Sequence, residues 1–277
     1  MTLAHRNLYF KAGIFLSSCS LLLLLALAGK LLPFLPEYCE AAMERPGGFF
    51  QRLAGRFFAC VPQVPFISLS AAVLYALCVS IAVFIYFEKT QAPEILFFGL
   101  FALSFWFEIL RIMVPLKGII EFPPALAIAG TRLLIFARLF GTLSLFISSV
   151  YAAGLDMQKQ GSVVIAITIA ILVISFKLPV NGFSWDTSFT LLFAYKTMFA
   201  FAELILVIIT AISYLIAARS RETADYRYIA LGVLLVFFGR SLLFGADTWL
   251  TPLPGIIMLA FGAWIIMSRL HQIYLWL

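Results

Sequence analysis

Eight stretches almost free of charge follow one another along this chain, at about 14–32, 65–87, 93–115, 124–153, 162–178, 188–217, 228–249 and 255–275. A run of ~20 apolar residues is what a helix needs to cross a hydrocarbon core ~30 Å thick. Backbone at that depth must satisfy its own hydrogen bonds, and a helix does so within one segment. The expected fold is therefore an all-α polytopic membrane protein, a bundle of eight transmembrane helices forming a single domain over 1–277. Seven is the count if the fifth or eighth run fails to cross. Composition agrees: 64% of residues are hydrophobic and 12% charged, against about 25% charged in soluble domains.

The formal net charge of +6 is scattered between the apolar runs and makes no basic patch, so nucleic acid is not expected as a partner. The basic residues instead set orientation. Loops on the N-terminal side carry Arg6, Lys11, Lys89, Lys159, Arg219, Arg221, Arg227 and Arg269, while Arg45, Arg52, Arg56 and Lys117 lie on the other side. This bias predicts both termini in the cytoplasm and a multi-pass inner-membrane location. The first run continues well past Cys19, which reads as an uncleaved span and not as a processed signal peptide.

The longest connection, 33–64, is then external. Pro46-Gly47-Gly48 would break it into two helices, the second amphipathic with Phe49, Phe50, Leu53, Phe57 and Phe58 opposite Gln51, Arg52 and Arg56. Cys39 and Cys60 flank this hairpin on the oxidising side, and a disulfide between them is expected. The plainer alternative is two free cysteines.

Charged residues within the spans are the main functional lead, because each costs at least ~2.5 kcal/mol to place at bilayer depth. Glu108 and Arg111 share a face of the third run; Arg132 and Arg138 lie in the fourth; Lys196 and, seven residues on, Glu203 lie in the sixth; Arg240 lies in the seventh. Lys177 and Asp247 sit near the external ends, where they and Arg111 could snorkel to the surface. Cations outnumber carboxylates, so the expectation is an outward-facing basic cavity completed by an anionic small molecule or a lipid headgroup. The plainer reading is a set of internal salt bridges. Phe105, Trp106, Phe107, Phe136, Phe140, Tyr195, Phe199, Phe201, Phe237 and Phe238 lie near these charges, where cation–π contact and ordinary packing are both open.

A faint internal repeat adds to this lead. The segment 96–109 of the third run resembles 191–204 of the sixth, with Glu108 matching Glu203, and 134–138 of the fourth resembles 236–240 of the seventh, with Arg138 matching Arg240. The third and sixth runs should cross in opposite senses, so such a repeat would be inverted, as in many transporters. Gly141, Ser144, Gly232, Gly239, Gly255 and Gly262 mark expected close helix approaches.

His5 and His271 are the only histidines and the cysteines show no C-x-x-C spacing, so neither a metal site nor a cofactor is expected. Phosphate-loop, dinucleotide-binding and nucleophile-elbow signatures are absent from the sequence. A retinal Schiff base on Lys196 is a remote reading. The expected function is that of a ligand-binding membrane protein without catalysis: a small transporter, or a receptor-like module signalling through a separate protein at its cytoplasmic face, with membrane lipids as its surroundings. The alternatives are a membrane enzyme acting on a lipid-linked phosphate, or a structural subunit of a membrane complex.

Overall fold

A computed structural model describes residues 3–31, 61, 63–90, 92–117, 119–154 and 160–275. Among them are eight helices long and apolar enough to cross a membrane: α1 (Leu3–Leu31), α2 (Gln63–Phe87), α3 (Pro93–Ser104) with its continuation to Leu116, α4 (Pro124–Ala152), α5 (Gln160–Lys177), α6 (Lys196–Ser220), α7 (Asp225–Phe244) and α8 (Pro252–Leu275). The expected disulfide, Cys39–Cys60, and the two helices expected in the connection before Val61 lie outside the described residues.

The third span is the innermost of the eight, and α1 and α5 are among the least enclosed. α2 and α4 flank it, α7 and α8 pack tightly together, and α6 closes the ring between α4 and α7. Leu22, Leu25, Ile165, Ile169, Ile205, Ile216, Phe201 and Trp264 point outward. A soluble protein avoids so large an apolar surface; hydrocarbon is the solvent that suits it. The architecture is that of a helical membrane protein.

Close packing occurs where the small residues predict it. A Cβ added to Gly239 would lie 2.8 Å from the Gly255 carbonyl oxygen and the Leu259 nitrogen, and one added to Gly262 would lie 2.8 Å from the Gly232 carbonyl oxygen. These four glycines let the backbones of α7 and α8 touch. Gly141 similarly receives the Ser104 side chain from α3.

Two features depart from the sequence reading. The third run is not α-helical throughout: Phe105–Ile112 winds as a 3-10 helix before a last α-helical turn, Met113–Leu116. Pro115 has no N–H to bond back to the Arg111 carbonyl and its ring crowds that oxygen, and three bulky aromatics, Phe105, Trp106 and Phe107, open the segment. Stretches of 3-10 helix this long are uncommon.

The second departure is at the start of the sixth run, where 188–195 is not helical. Val180–Trp185 (β1) and Leu191–Phe193 (β2) instead form an antiparallel hairpin. Its tip is closed by hydrogen bonds from Asp186 N to the Thr190 oxygen (2.8 Å) and from Phe189 N to the Asp186 oxygen (3.0 Å). Phe189 and Tyr195 adopt left-handed backbone, at φ 58° and 64°, which is rare for bulky residues.

Candidate functional site

Glu108 occupies the centre of the site, almost wholly buried on the 3-10 segment. With three residues per turn, side chains at i and i+3 eclipse, so Phe105, Glu108 and Arg111 stack in one column, all buried. Arg138 of α4 meets Glu108 with a two-pronged contact, its Nε and Nη2 each donating at 2.8 Å to one carboxylate oxygen. Arg111 Nη1 approaches the same carboxylate at 3.4 Å, and its Nε donates to the Ser188 carbonyl oxygen at the hairpin tip (2.8 Å). One buried anion is thus shared by two guanidinium groups.

A second pair abuts the first. Arg240 of α7 donates from Nη2 to Glu203 Oε1 on α6 at 2.7 Å. Its Nη1 donates to Thr142 Oγ1 (2.7 Å) and to the Arg138 carbonyl oxygen (3.1 Å), and Thr142 Oγ1 lies 3.2 Å from Glu203 Oε1. The Phe244 ring lies between the two arginines, 4.7 Å from the Arg138 guanidinium and 5.5 Å from that of Arg240. Cation–π attraction there favours keeping both side chains extended toward the ring.

The hairpin and the loop after α7 enclose a cavity of about 350 Å³ over these pairs, lined by Arg138, Glu203, Arg240 and Phe244 below and by Asp186, Ser188, Lys196 and Asp247 above. Lys196 pairs with Asp186. Partial burial disfavours ionisation of Asp186, but the hydrogen bond and charge of Lys196, with the Thr187 donors, outweigh it and hold the carboxyl below its ordinary range. The Asp247 backbone oxygen accepts from Val61 N (3.1 Å), while among the described residues its carboxylate accepts only a long contact from Thr187 Oγ1, 3.4 Å, and has no ion pair.

Of the residues singled out in the sequence, the structure brings together Glu108, Arg111, Arg138, Lys196, Glu203 and Arg240. Arg132 stands apart: it is half-buried on α4 and its Nε has no hydrogen-bond partner. Lys177 is exposed at the end of α5. Asp247, read as a snorkelling rim residue, lines the cavity instead, and Asp186 joins it through a hairpin that apolar patterning did not reveal. With these two carboxylates counted, the charged lining balances among the described residues: Arg138, Lys196 and Arg240 face Asp186, Glu203 and Asp247. The sequence leads one to expect a predominantly basic lining; its described part is evenly charged. Of the flanking aromatics, Phe237 lies 5.8 Å from Arg240, whereas Tyr195, Phe201 and Phe238 are exposed. Phe244, which touches both arginines, carries no sequence signal beyond being one more phenylalanine. Among the described residues no group of three or more His, Cys, Asp or Glu side chains could hold a metal ion.

The two ion pairs join residues that the sequence resemblance aligns, although the aligned segments differ in structure: 96–99 lies in α3, whereas Leu191–Phe193 forms β2. Glu108 of the third span pairs with Arg138 of the fourth, and Glu203 of the sixth with Arg240 of the seventh, at sequence separations of 30 and 37 residues. Comparison of the chain with protein-family models, with curated proteins and with solved structures gives no match, so any functional reading rests on this geometry.

Proposed function

We propose that the protein is a small transporter of the inner membrane that binds a zwitterionic solute of about amino-acid size in the cavity over the paired arginines. The reading rests above all on one observation: two Glu–Arg pairs, whose residues the sequence resemblance aligns as an inverted repeat would, abut beneath a cavity whose lining includes a carboxylate with no ion pair among the described residues. Transport sites commonly lie where such repeats meet, near mid-membrane. The volume of about 350 Å³ is at the small end of the range for ligand sites.

The charges assign the two ends of the ligand. Arg138 and Arg240 already hold carboxylates, so an acidic group would join them by sharing donors, with Lys196 supplying a third cation at the rim. The amino or quaternary ammonium group would go to Asp247, which has no ion-pair partner among the described residues, with Phe244 nearby offering a ring face. The carboxylate or phosphate expected from the sequence survives here as one half of the ligand. The hairpin is the natural gate, since Asp186–Lys196, Thr187–Asp247 and Arg111–Ser188 fasten it to three different elements. Both termini in the cytoplasm would make the cavity open outward.

Thermal stabilisation of the purified protein by matched compounds tests this: amine-carboxylate zwitterions, the same skeletons with only the carboxylate, and those with only the amine. Zwitterions should stabilise most, and Asp247→Asn should reduce their effect to that of the carboxylate-only compounds. If carboxylate-only compounds stabilise the wild type best and Asp247→Asn leaves the ranking unchanged, the ligand is a simple anion and this assignment fails.

A further inference from the structure

At the opposite end of the bundle, where α1 begins and α8 finishes, a second carboxyl group is buried, in different company from Glu108. Glu94, in the first turn of α3, has no exposed surface. Its Oε2 accepts a hydrogen bond from the Tyr274 hydroxyl at 2.5 Å, and its Oε1 has no hydrogen-bond partner. Glu108, equally buried, has two guanidinium groups within ion-pair reach, and Glu203 has one; Glu94 has none among the described residues.

The titratable groups that reach Glu94 come from α6, α7, α8 and the turn after α6. Tyr274 approaches from α8, Tyr226 from α7 and Tyr214 from α6, while Arg221 in the turn after α6 is the cation whose charge reaches it. Ser148 of α4 donates to the Glu94 backbone oxygen (3.1 Å) and lies 2.7 Å from the Tyr214 hydroxyl. Arg221 is otherwise engaged, with Nη1 on the Tyr226 hydroxyl (2.9 Å) and Nη2 on the Tyr151 carbonyl oxygen (3.3 Å). An ionised carboxylate enclosed with only neutral donors, the Tyr274 hydroxyl and its own backbone N–H, and no ion pair among the described residues is strongly disfavoured, and such groups neutralise instead. A carboxylic acid fits the surroundings: one oxygen accepts from Tyr274 and the other carries the hydrogen.

We propose that Glu94 is a proton-binding site, loaded at neutral pH and exchanging with water at this end of the molecule past the half-buried ring of Tyr274. The site stands independently of the transport reading, but its position gives it a use there. The seam between α4 and α6 carries Thr142 and Glu203 at the cavity end and Ser148 and Tyr214 at the Glu94 end. Thr142 and Ser148 are only ~9 Å apart along α4. Loss of the proton leaves a bare charge that draws Arg221 from Tyr226 and Tyr151, loosening the joint between α4, α6 and α7.

Infrared difference spectra of the purified full-length protein, recorded without ligand in H₂O and D₂O, test the site. The wild type at neutral pH should show the C=O stretch of a buried carboxylic acid that moves to lower frequency in D₂O. Glu94→Gln should abolish that band. Tyr274→Phe, which removes the hydrogen bond and keeps the carboxyl, should move it to higher frequency, and this arm holds even if Glu94→Gln folds poorly. A wild-type spectrum without the band, or a band that neither substitution alters, overturns the proposal. Neither result bears on whether zwitterions occupy the cavity.

Discussion

Glu108 is the residue on which most of the buried charge depends. Replacing it by Gln leaves Arg111 and Arg138 enclosed without a counter-ion, and breaking a buried pair in this way costs about 3–5 kcal/mol; thermal unfolding in mild detergent should show a correspondingly large drop. Asp186 predicts a pH effect of definite sign. Its carboxyl is held below the ordinary range when folded, so the contribution of its pair with Lys196 is complete at neutral pH. It is lost as the pH falls below ~4, the unfolded value, and through the lower folded one. Because Lys196 is more than half exposed, the effect should be confined to the hairpin: hydrogen exchange at 180–193 should speed up on acidification ahead of the helices. At this scale the sequence was informative about which charges matter, since an arginine in an apolar helix stands out. It was silent about partners, because pairing depends on which helices adjoin; Asp186 and Asp247 lie in segments whose polar character is unremarkable for loops.

At the scale of elements, helix existence was legible and helix interior was not. Long apolar runs set the eight spans, but the change from α to 3-10 winding at Phe105 follows from crowding by Pro115, the aromatic run and two ion pairs acting together. Arg111 joins this segment to the hairpin, so Arg111→Met should leave the Ser188 carbonyl without its donor. The expected result is faster hydrogen exchange at 186–190 with the protection of α7 and α8 unchanged. The α7–α8 contact gives a sharper contrast. Gly239→Ala pushes a methyl group against backbone atoms, and overpacking of this kind costs about 1–3 kcal/mol. Gly29→Ala on α1, where nothing lies within 4 Å of the added atom, should be neutral in the same unfolding assay. The four glycines of this pair were readable because close helix approach demands small residues, whatever the fold.

For the whole molecule, the orientation proposed from loop charges can be checked directly. A single cysteine in place of Thr187 should react with a membrane-impermeant maleimide from outside intact cells, and one in place of Gln272 only after the membrane is opened. The reverse pattern would turn the cavity toward the cytoplasm. The 3-10 segment also has a consequence in length. It advances ~2.0 Å per residue where an α-helix advances ~1.5 Å, so its eight residues hold ~4 Å of slack relative to α winding. Glu108 grips the floor of the cavity through Arg138, and Arg111 grips its roof through Ser188. Rewinding this one stretch would shorten the distance between the two grips and turn one against the other, and the third span would then act as a drawbar whose travel is set by its pitch.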